Sequence, residues 1–269
     1  MKKEQFRHEK TKKEERGAYG TENPNEGVIS GRNAVKELLA GGRDVDKIFV
    51  ARGDREGSIV VLVSEALSRK IPLIEVDRKK LDALCGHNRH QGIVAFAAER
   101  AYATVDDMLA LAAERGEAPL LIIADGIEDP HNLGALMRCA ECAGAHGLII
   151  PKRRSVGLTS VVAKASAGAI EHLPIARVTN LATTIDELKE KGFWLYAADM
   201  DGAPHYKTDL RGAAAIVLGS EGFGISRLVK EKCDFVVSIP LYGKVNSMNV
   251  SAAAAVILCE AARQRRDPT

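Results

Sequence analysis

From residue 119 onward, short apolar runs alternate with stretches of helical periodicity, and this pattern limits the fold more than any other feature of the chain. The runs are Leu120–Ala124, Gly147–Ile150, Phe193–Ala198, Ala214–Leu218 and Phe235–Ile239. Between them, Asn132–Ala143, Thr159–Ala169, Thr184–Lys191 and Ile225–Lys232 read as helices, and Val250–Arg265 as a closing helix. Continuous apolar strands separated by helices imply an α/β fold with a parallel sheet covered on both faces. In such sheets ligands bind beyond the carboxyl ends of the strands. Three of those ends are polar or glycine-rich: Asp125–Asn132, Gly219–Gly224 and Pro240–Asn249.

The first hundred residues read differently. Residues 1–26 are rich in Lys, Arg and Glu and hold almost nothing to bury, which predicts a mobile charged tail. Residues 27–99 predict a small mixed α/β domain. Its helices are Asn33–Leu39 and Ser58–Lys70, the latter ending before Pro72, and its strands are Lys47–Ala51, Leu73–Val76 and Gly92–Ala97. Residues 100–117 read as a linker carrying one helix, with Val105, Met108, Leu109 and Ala112 on a shared face. The second domain then spans 118–269. A net charge of +2 permits nucleic-acid binding without demonstrating it, and 4% aromatics argue against a broad base-stacking platform. No apolar stretch approaches a membrane span, and the charged N-terminus lacks a signal-peptide core. With five cysteines, an odd count, reduced thiols in the cytoplasm are the simplest expectation.

Each strand end has an ordinary structural explanation and a functional one. Asn132 suits a helix N-cap, and Arg138, six residues on, reaches the same pocket if Asn132 sits in the loop and Arg138 leans back. Leu218-Gly219-Ser220-Glu221-Gly222-Phe223-Gly224 is a tight turn whose glycines let a ligand approach the backbone. Its spacing is neither that of a dinucleotide fingerprint nor that of a Walker A loop, and Glu221 disfavours a phosphate cradle. That argues against a nicotinamide-dependent dehydrogenase. In Ile239–Ser251, capping accounts for one of the polar residues around Asn246, Ser247 and Asn249, not for the cluster. Cys139-Ala-Glu-Cys142 has half the spacing of a zinc site but no second half, so no metal is expected.

In order and spacing these three segments closely resemble the three motifs of the SpoU/TrmH class of RNA 2′-O-methyltransferases, in the SPOUT superfamily. The segment Lys164-Ala-Ser-Ala-Gly-Ala-Ile-Glu-His-Leu-Pro174 is also similar to that class, and His90-Gln91-Gly92 and Gly31-Arg32-Asn33 are similar to parts of its N-terminal domain. The layout most resembles bacterial RlmB-like enzymes that methylate a guanosine ribose in 23S ribosomal RNA. The resemblance implies an α/β trefoil-knot domain preceded by a small ribosomal-protein-like RNA-binding domain, and a homodimer formed through the C-terminal domain. It implies S-adenosyl-L-methionine as methyl donor, held by Leu218, Gly219, Ile239, Leu241 and Met248, where relatives usually have Leu in place of Met248. It also implies a catalytic set of Asn132, Arg138, Glu221, Ser247 and Asn249.

A sulfonium methyl is already electrophilic, so the protein must align it with the ribose hydroxyl and stabilise developing alkoxide charge. Arg138 is expected nearest that oxygen. Its guanidinium stays protonated, so a charge clamp on alkoxide and phosphate suits it better than a base role. Arg32, Arg89, His90, Arg153 and Arg154 are candidate RNA contacts, weighed against solvated loops. Ribosomal RNA is the expected partner. A transfer RNA ribose and a non-catalytic RNA-binding assembly factor are the alternatives.

Overall fold

The computed structural model describes residues 27–53, 57–98 and 100–266. The expected charged tail lies outside the described residues.

The N-terminal unit is a four-stranded sheet with strands β1 (Val28–Ser30), β2 (Val45–Ala51), β3 (Leu73–Val76) and β4 (Ile93–Ala97), in the order β1-β4-β2-β3. β4 runs antiparallel to β1 and β2, and β3 runs parallel to β2. Helices α1 (Arg32–Ala40) and α2 (Ser58–Ser68) bury Val35, Leu38, Leu62 and Ala66 against Ile48, Val50 and Ala95. Sequence periodicity does not announce β1 or a third helix, α3 (Arg78–Cys85). β1 has three residues, and α3 contributes one buried residue, Leu81.

Residues 100–117 are not a free connector. Their helix α4 (Val105–Arg115) starts with a capping box between Thr104 and Asp107. It buries Met108 and Ala112 on the C-terminal sheet, and Ala103 bridges to Ala176.

The C-terminal sheet has six strands, β5 (Leu120–Asp125), β6 (Gly147–Pro151), β7 (Ile175–Val178), β8 (Trp194–Pro204), β9 (Ala214–Gly219) and β10 (Phe235–Ser238). All are parallel, in the order β10-β8-β9-β5-β6-β7. The apolar runs are explained by burial on both faces. Along β5, Leu120, Ile122 and Ala124 enter one core, while Leu121 and Ile123 enter the other. The first core packs under α5 (Pro130–Cys142), α6 (Ser160–Ala165) and α9 (Val250–Arg266). The second packs under α4, α7 (Leu181–Glu190) and α8 (Arg227–Lys232).

Several expected boundaries move. β7 escapes the sequence pattern because it is a four-residue edge strand carrying an exposed Arg177. β8 runs past Ala198 to Pro204 through a bulge, where Gly202 lies against the Val236 backbone. α7 begins at Leu181 because Asn180 caps it. The expected helix Thr159–Ala169 stops at Ala165. Left-handed backbone at Ala167 and Gly168 turns the chain into a short 3-10 turn, Ala169–Glu171. After edge strand β10 the chain runs through the exposed segment 241–249 and then packs α9 against α5.

Candidate active site

The carboxyl ends of β9 and β10 and the bulged middle of β8, neighbours in the sheet, open into a cavity of 730 Å³. Its apolar floor includes Leu218, Val237, Ile239, Val250 and Ile257, and its polar rim Asp199, Ser220, Glu221, Asn246, Ser247 and Asn249. All five residues expected to hold the cofactor (Leu218, Gly219, Ile239, Leu241 and Met248) line it. A volume of this order suits a small-molecule cofactor. The sequence reading missed the wall formed by Ala198, Asp199 and Met200, since it ended β8 too early. Asp199 is held by an ion pair to Lys230 at 2.7 Å.

Gly219 ends β9 in a reversal that leaves no room for a side chain. A Cβ there would meet the Gly224 carbonyl carbon at 2.1 Å and the Ile225 nitrogen at 2.3 Å. Ser220 and Gly224 close the turn with paired backbone hydrogen bonds of 3.1 and 2.9 Å. The turn therefore projects Glu221 outward at its tip.

Asn249 joins the three distant segments. Its side-chain nitrogen donates to Asn132 Oδ1 at 2.8 Å and to Glu221 Oε1 at 2.6 Å. Its side-chain oxygen accepts from the Ser251 and Ala252 backbone nitrogens at 3.0 and 3.3 Å, and from Ser251 Oγ at 2.6 Å. Asn249 thus acts as the N-cap of α9 and as a clamp on the glycine-rich turn and on the start of α5. Ser247 lines the same cavity.

Asn132 is not the cap of α5. Asp129 takes that place, accepting from His131 and Asn132 nitrogens, with Pro130 in the first turn. Asn132 therefore sits inside the helix, and Arg138 is rotated from it by roughly 240° about the axis. Arg138 is exposed and is not among the residues lining the cavity. Among the described residues no side-chain hydrogen bond or ion pair engages it. The expectation that Arg138 leans back beside Asn132 within one chain does not match this geometry.

The RNA candidates separate into four situations. Arg154 adopts left-handed backbone, and its guanidinium lies 3.8 Å from where a Gly126 Cβ would project, beside Ser220 at the cavity rim. Arg153 and Arg89 are exposed, and Arg32 is tied through its Nε to the Gln91 carbonyl at 3.2 Å. His90 is 2% exposed, and both ring nitrogens are engaged, one with Asp82 Oδ1 at 3.1 Å and the other with the Gly92 amide at 3.0 Å. His90 pins its own loop and presents nothing to a surface ligand.

The segment 164–174 docks the two units. Glu171, buried, pairs with Arg43 at 2.9 Å and Arg100 at 3.6 Å, and His172 Nε2 meets Glu37 Oε2 at 2.9 Å. Gly168 faces the Glu37 side chain so closely that a Cβ would stand 2.3 Å from its Cγ. Among the described residues no group of three or more His, Cys, Asp or Glu is placed to hold a metal, and no helix is long and apolar enough to cross a membrane.

Residues 119–259, which carry every strand end around the cavity, match the family described as the SpoU rRNA methylase family. The chain belongs to that family. Residues 28–103 match the domain described as RNA 2′-O ribose methyltransferase substrate binding. A Bacillus subtilis protein, YacO, assigned to the TrmH family of tRNA/rRNA methyltransferases, is 47% identical over 88% of this chain and 95% of its own. A Staphylococcus haemolyticus protein of the same assignment is 47% identical over 88% of this chain and 96% of its own. Among solved structures, an RNA 2′-O ribose methyltransferase superposes with a TM-score of 0.73 at 27% identity, covering 88% of each chain. The SpoU methyltransferase AviRb from Streptomyces viridochromogenes, determined with AdoMet bound, has a TM-score of 0.73 at 24% identity, covering 88% of this chain and 90% of that one. In this SpoU chain the paired units are therefore a substrate-binding domain and a methylase domain, locked together by Glu171.

Proposed function

We propose that the chain transfers a methyl group from S-adenosyl-L-methionine to a ribose 2′-hydroxyl of RNA, with a guanosine of 23S ribosomal RNA as its target, as a cytoplasmic homodimer. The observation that carries this reading is the convergence on Asn249: at the rim of the cavity, one side-chain nitrogen joins the glycine-rich turn at Glu221 to the first turn of α5 at Asn132. The substrate-binding match over residues 28–103 supports RNA as the acceptor.

Leu218, Gly219, Ile239, Leu241 and Met248 would hold the cofactor, the apolar groups against its uncharged surface and Gly219 through its backbone. The bound cofactor supplies a methyl carbon made electrophilic by its sulfonium. The protein's part is alignment and charge. Glu221, clamped by Asn249, keeps the glycine-rich turn in register with α9 and presents a carboxylate at the cavity mouth, where a positive group is favoured. Asn132 fixes Asn249 from the other side, and Ser247 positions the acceptor. Arg138, fully charged, clamps the developing alkoxide and its neighbouring phosphate, and the hydroxyl proton leaves to that phosphate or to water. Because Arg138 stands outside its own chain's cavity, it serves a second copy across a dimer of the C-terminal domain. The family's trefoil knot would correspond to the return of the chain through 241–249 to α9.

The test is incubation of the purified protein with methyl-labelled cofactor and separated 23S ribosomal and transfer RNAs, followed by nucleoside mapping. Label on the 2′-oxygen of a 23S guanosine supports the reading in full. Label on transfer RNA ribose moves the target to the other class of RNA, and label on a base overturns the chemistry.

A further inference from the structure

Around the junction between the two units most charges are matched. Glu171 answers Arg43 and Arg100, and Glu37 answers His172. One group breaks this pattern. Lys164, on α6, points its Nζ at the His87 ring, 3.1 Å from Nε2 and 3.4 Å from Nδ1. Ser30 Oγ, at the end of buried β1, is 3.2 Å from the same Nε2, and Arg89 follows two residues later with its guanidinium in solvent. Among the described residues no carboxylate pairs with Lys164, His87 or Arg89.

The local field is correspondingly positive. Burial first, and then Lys164, hold the His87 imidazole below its ordinary value, with His90 and Arg89 acting in the same direction against a backbone hydrogen bond. Burial also lowers the Lys164 ammonium, with Arg89 adding to it and the Cys85 thiol opposing. A half-buried lysine that donates to a neutral ring nitrogen retains N–H groups for another acceptor. The missing partner is an anion.

The location supplies its identity. α6 is packed tightly on α5. A Cβ on Gly134 would stand 2.4 Å from Ala165 Cβ and 2.8 Å from the Val162 carbonyl oxygen, so only glycine permits this approach. Lys164 therefore adjoins the residue that touches α5 two positions beyond Asn132, while His87 and Arg89 belong to the unit matched as substrate-binding.

We infer that Lys164, His87 and Arg89 form a binding site for an RNA backbone phosphate that bridges the substrate-binding and methylase domains. The inference rests on the reading of RNA as acceptor and deepens it: the strand is gripped at the junction of the two domains, beside the helix that carries Asn132 and Arg138. Phosphate contacts of this kind fix register and orientation and carry no sequence information.

The test is equilibrium binding of end-labelled 23S ribosomal RNA, without cofactor, over a salt series. Lys164→Ala and Arg89→Ala are each expected to weaken binding about 3- to 10-fold and to reduce the slope of log affinity against log salt by about 0.7–0.9. Lys164→Arg should keep the slope. Arg211→Ala, at the opposite, amino end of β9, should change neither quantity. Arg89 is exposed and makes no side-chain hydrogen bond or ion pair among the described residues, so its variant reads phosphate contact even if Lys164→Ala loosens the junction. The inference is overturned if the Lys164→Ala, Arg89→Ala double variant melts like the wild type and keeps wild-type affinity and salt slope. A wild-type protein that binds no RNA at all overturns the acceptor reading along with it, and cofactor binding measured separately distinguishes the two failures.

Discussion

Asn132 and Asn249 lie 117 positions apart in the chain and share a hydrogen bond of 2.8 Å. The same Asn249 nitrogen reaches Glu221 at 2.6 Å, while the opposite end of its amide caps α9. The two ends of this side chain can be separated by substitution. Asn249→Asp keeps an acceptor for the α9 nitrogens but replaces the shared donor with an oxygen facing Glu221. Melting temperature should change little, while methyl transfer should fall on the order of 100-fold through misplacement of the loops. Asn249→Ala should lose activity and also about 0.5–2 kcal/mol of stability with the cap. An Asp variant with wild-type turnover would remove the clamp from the mechanism.

Glu171 is the strongest single point of domain docking. Its side chain is 2% exposed, and the Arg43 and Arg100 side chains are 16% and 20% exposed. Glu171→Ala strands two partly buried guanidinium groups, and the Arg43 Nε already has no partner. Removing one member of a buried pair costs about 3–5 kcal/mol. Urea denaturation should show this loss, with the 27–98 region becoming accessible to limited proteolysis first. Loss of less than 1 kcal/mol would mean that apolar contacts alone hold the junction.

How far the sequence could be read follows from the kind of signal each element carries. The buried strands β5, β6 and β9 are legible because burial on both faces demands unbroken apolar runs. β7 is not, since an edge strand with exposed Arg177 meets no such demand. Leu218, Gly219, Ile239, Leu241 and Met248 are legible through motif resemblance, but the wall of Ala198, Asp199 and Met200 is not, and the convergence on Asn249 cannot be read from spacing, because it depends on the order of strands across the sheet. Asn132 was misplaced by one general rule. Asn is a good cap, but Asp129 followed by Pro130 is better placed to start the helix, and that shift of three residues turns Arg138 away. The burial of His90 escapes the sequence because it depends on α3 folding back to place Asp82 beside the ring, while the Gly92 amide holds the other nitrogen within the turn.

The position of Arg138 makes dimerisation testable by complementation. Arg138→Ala and Glu221→Ala homodimers should each be nearly inactive. Mixed after partial denaturation and refolding, they should form heterodimers in which one of the two sites has both native residues, if Arg138 acts across the interface. Random pairing then restores about a quarter of wild-type activity. If both residues act within one chain, every heterodimer holds two damaged sites, and no recovery is expected. Native mass spectrometry with one variant isotopically labelled confirms that subunits have exchanged.

The five cysteines should react in an order set by exposure and proton affinity. Cys142 and Cys259 are exposed. Burial raises the Cys139 thiol, and burial together with Asp234 pushes Cys233 up to about 12. Only the thiolate alkylates, so at pH 8 a thiol with a pKa of about 12 is ionised on the order of one part in ten thousand, against roughly a quarter for an ordinary cysteine near 8.5. Brief iodoacetamide treatment followed by peptide mass spectrometry should label Cys142 and Cys259 first and Cys233 last. Raising the pH from 8 to 10 should increase the Cys233 rate by about 100-fold. Early labelling of Cys233 at pH 8 would show that α8 opens from the sheet in the native state, exposing the second core at the strand that leads into the cavity.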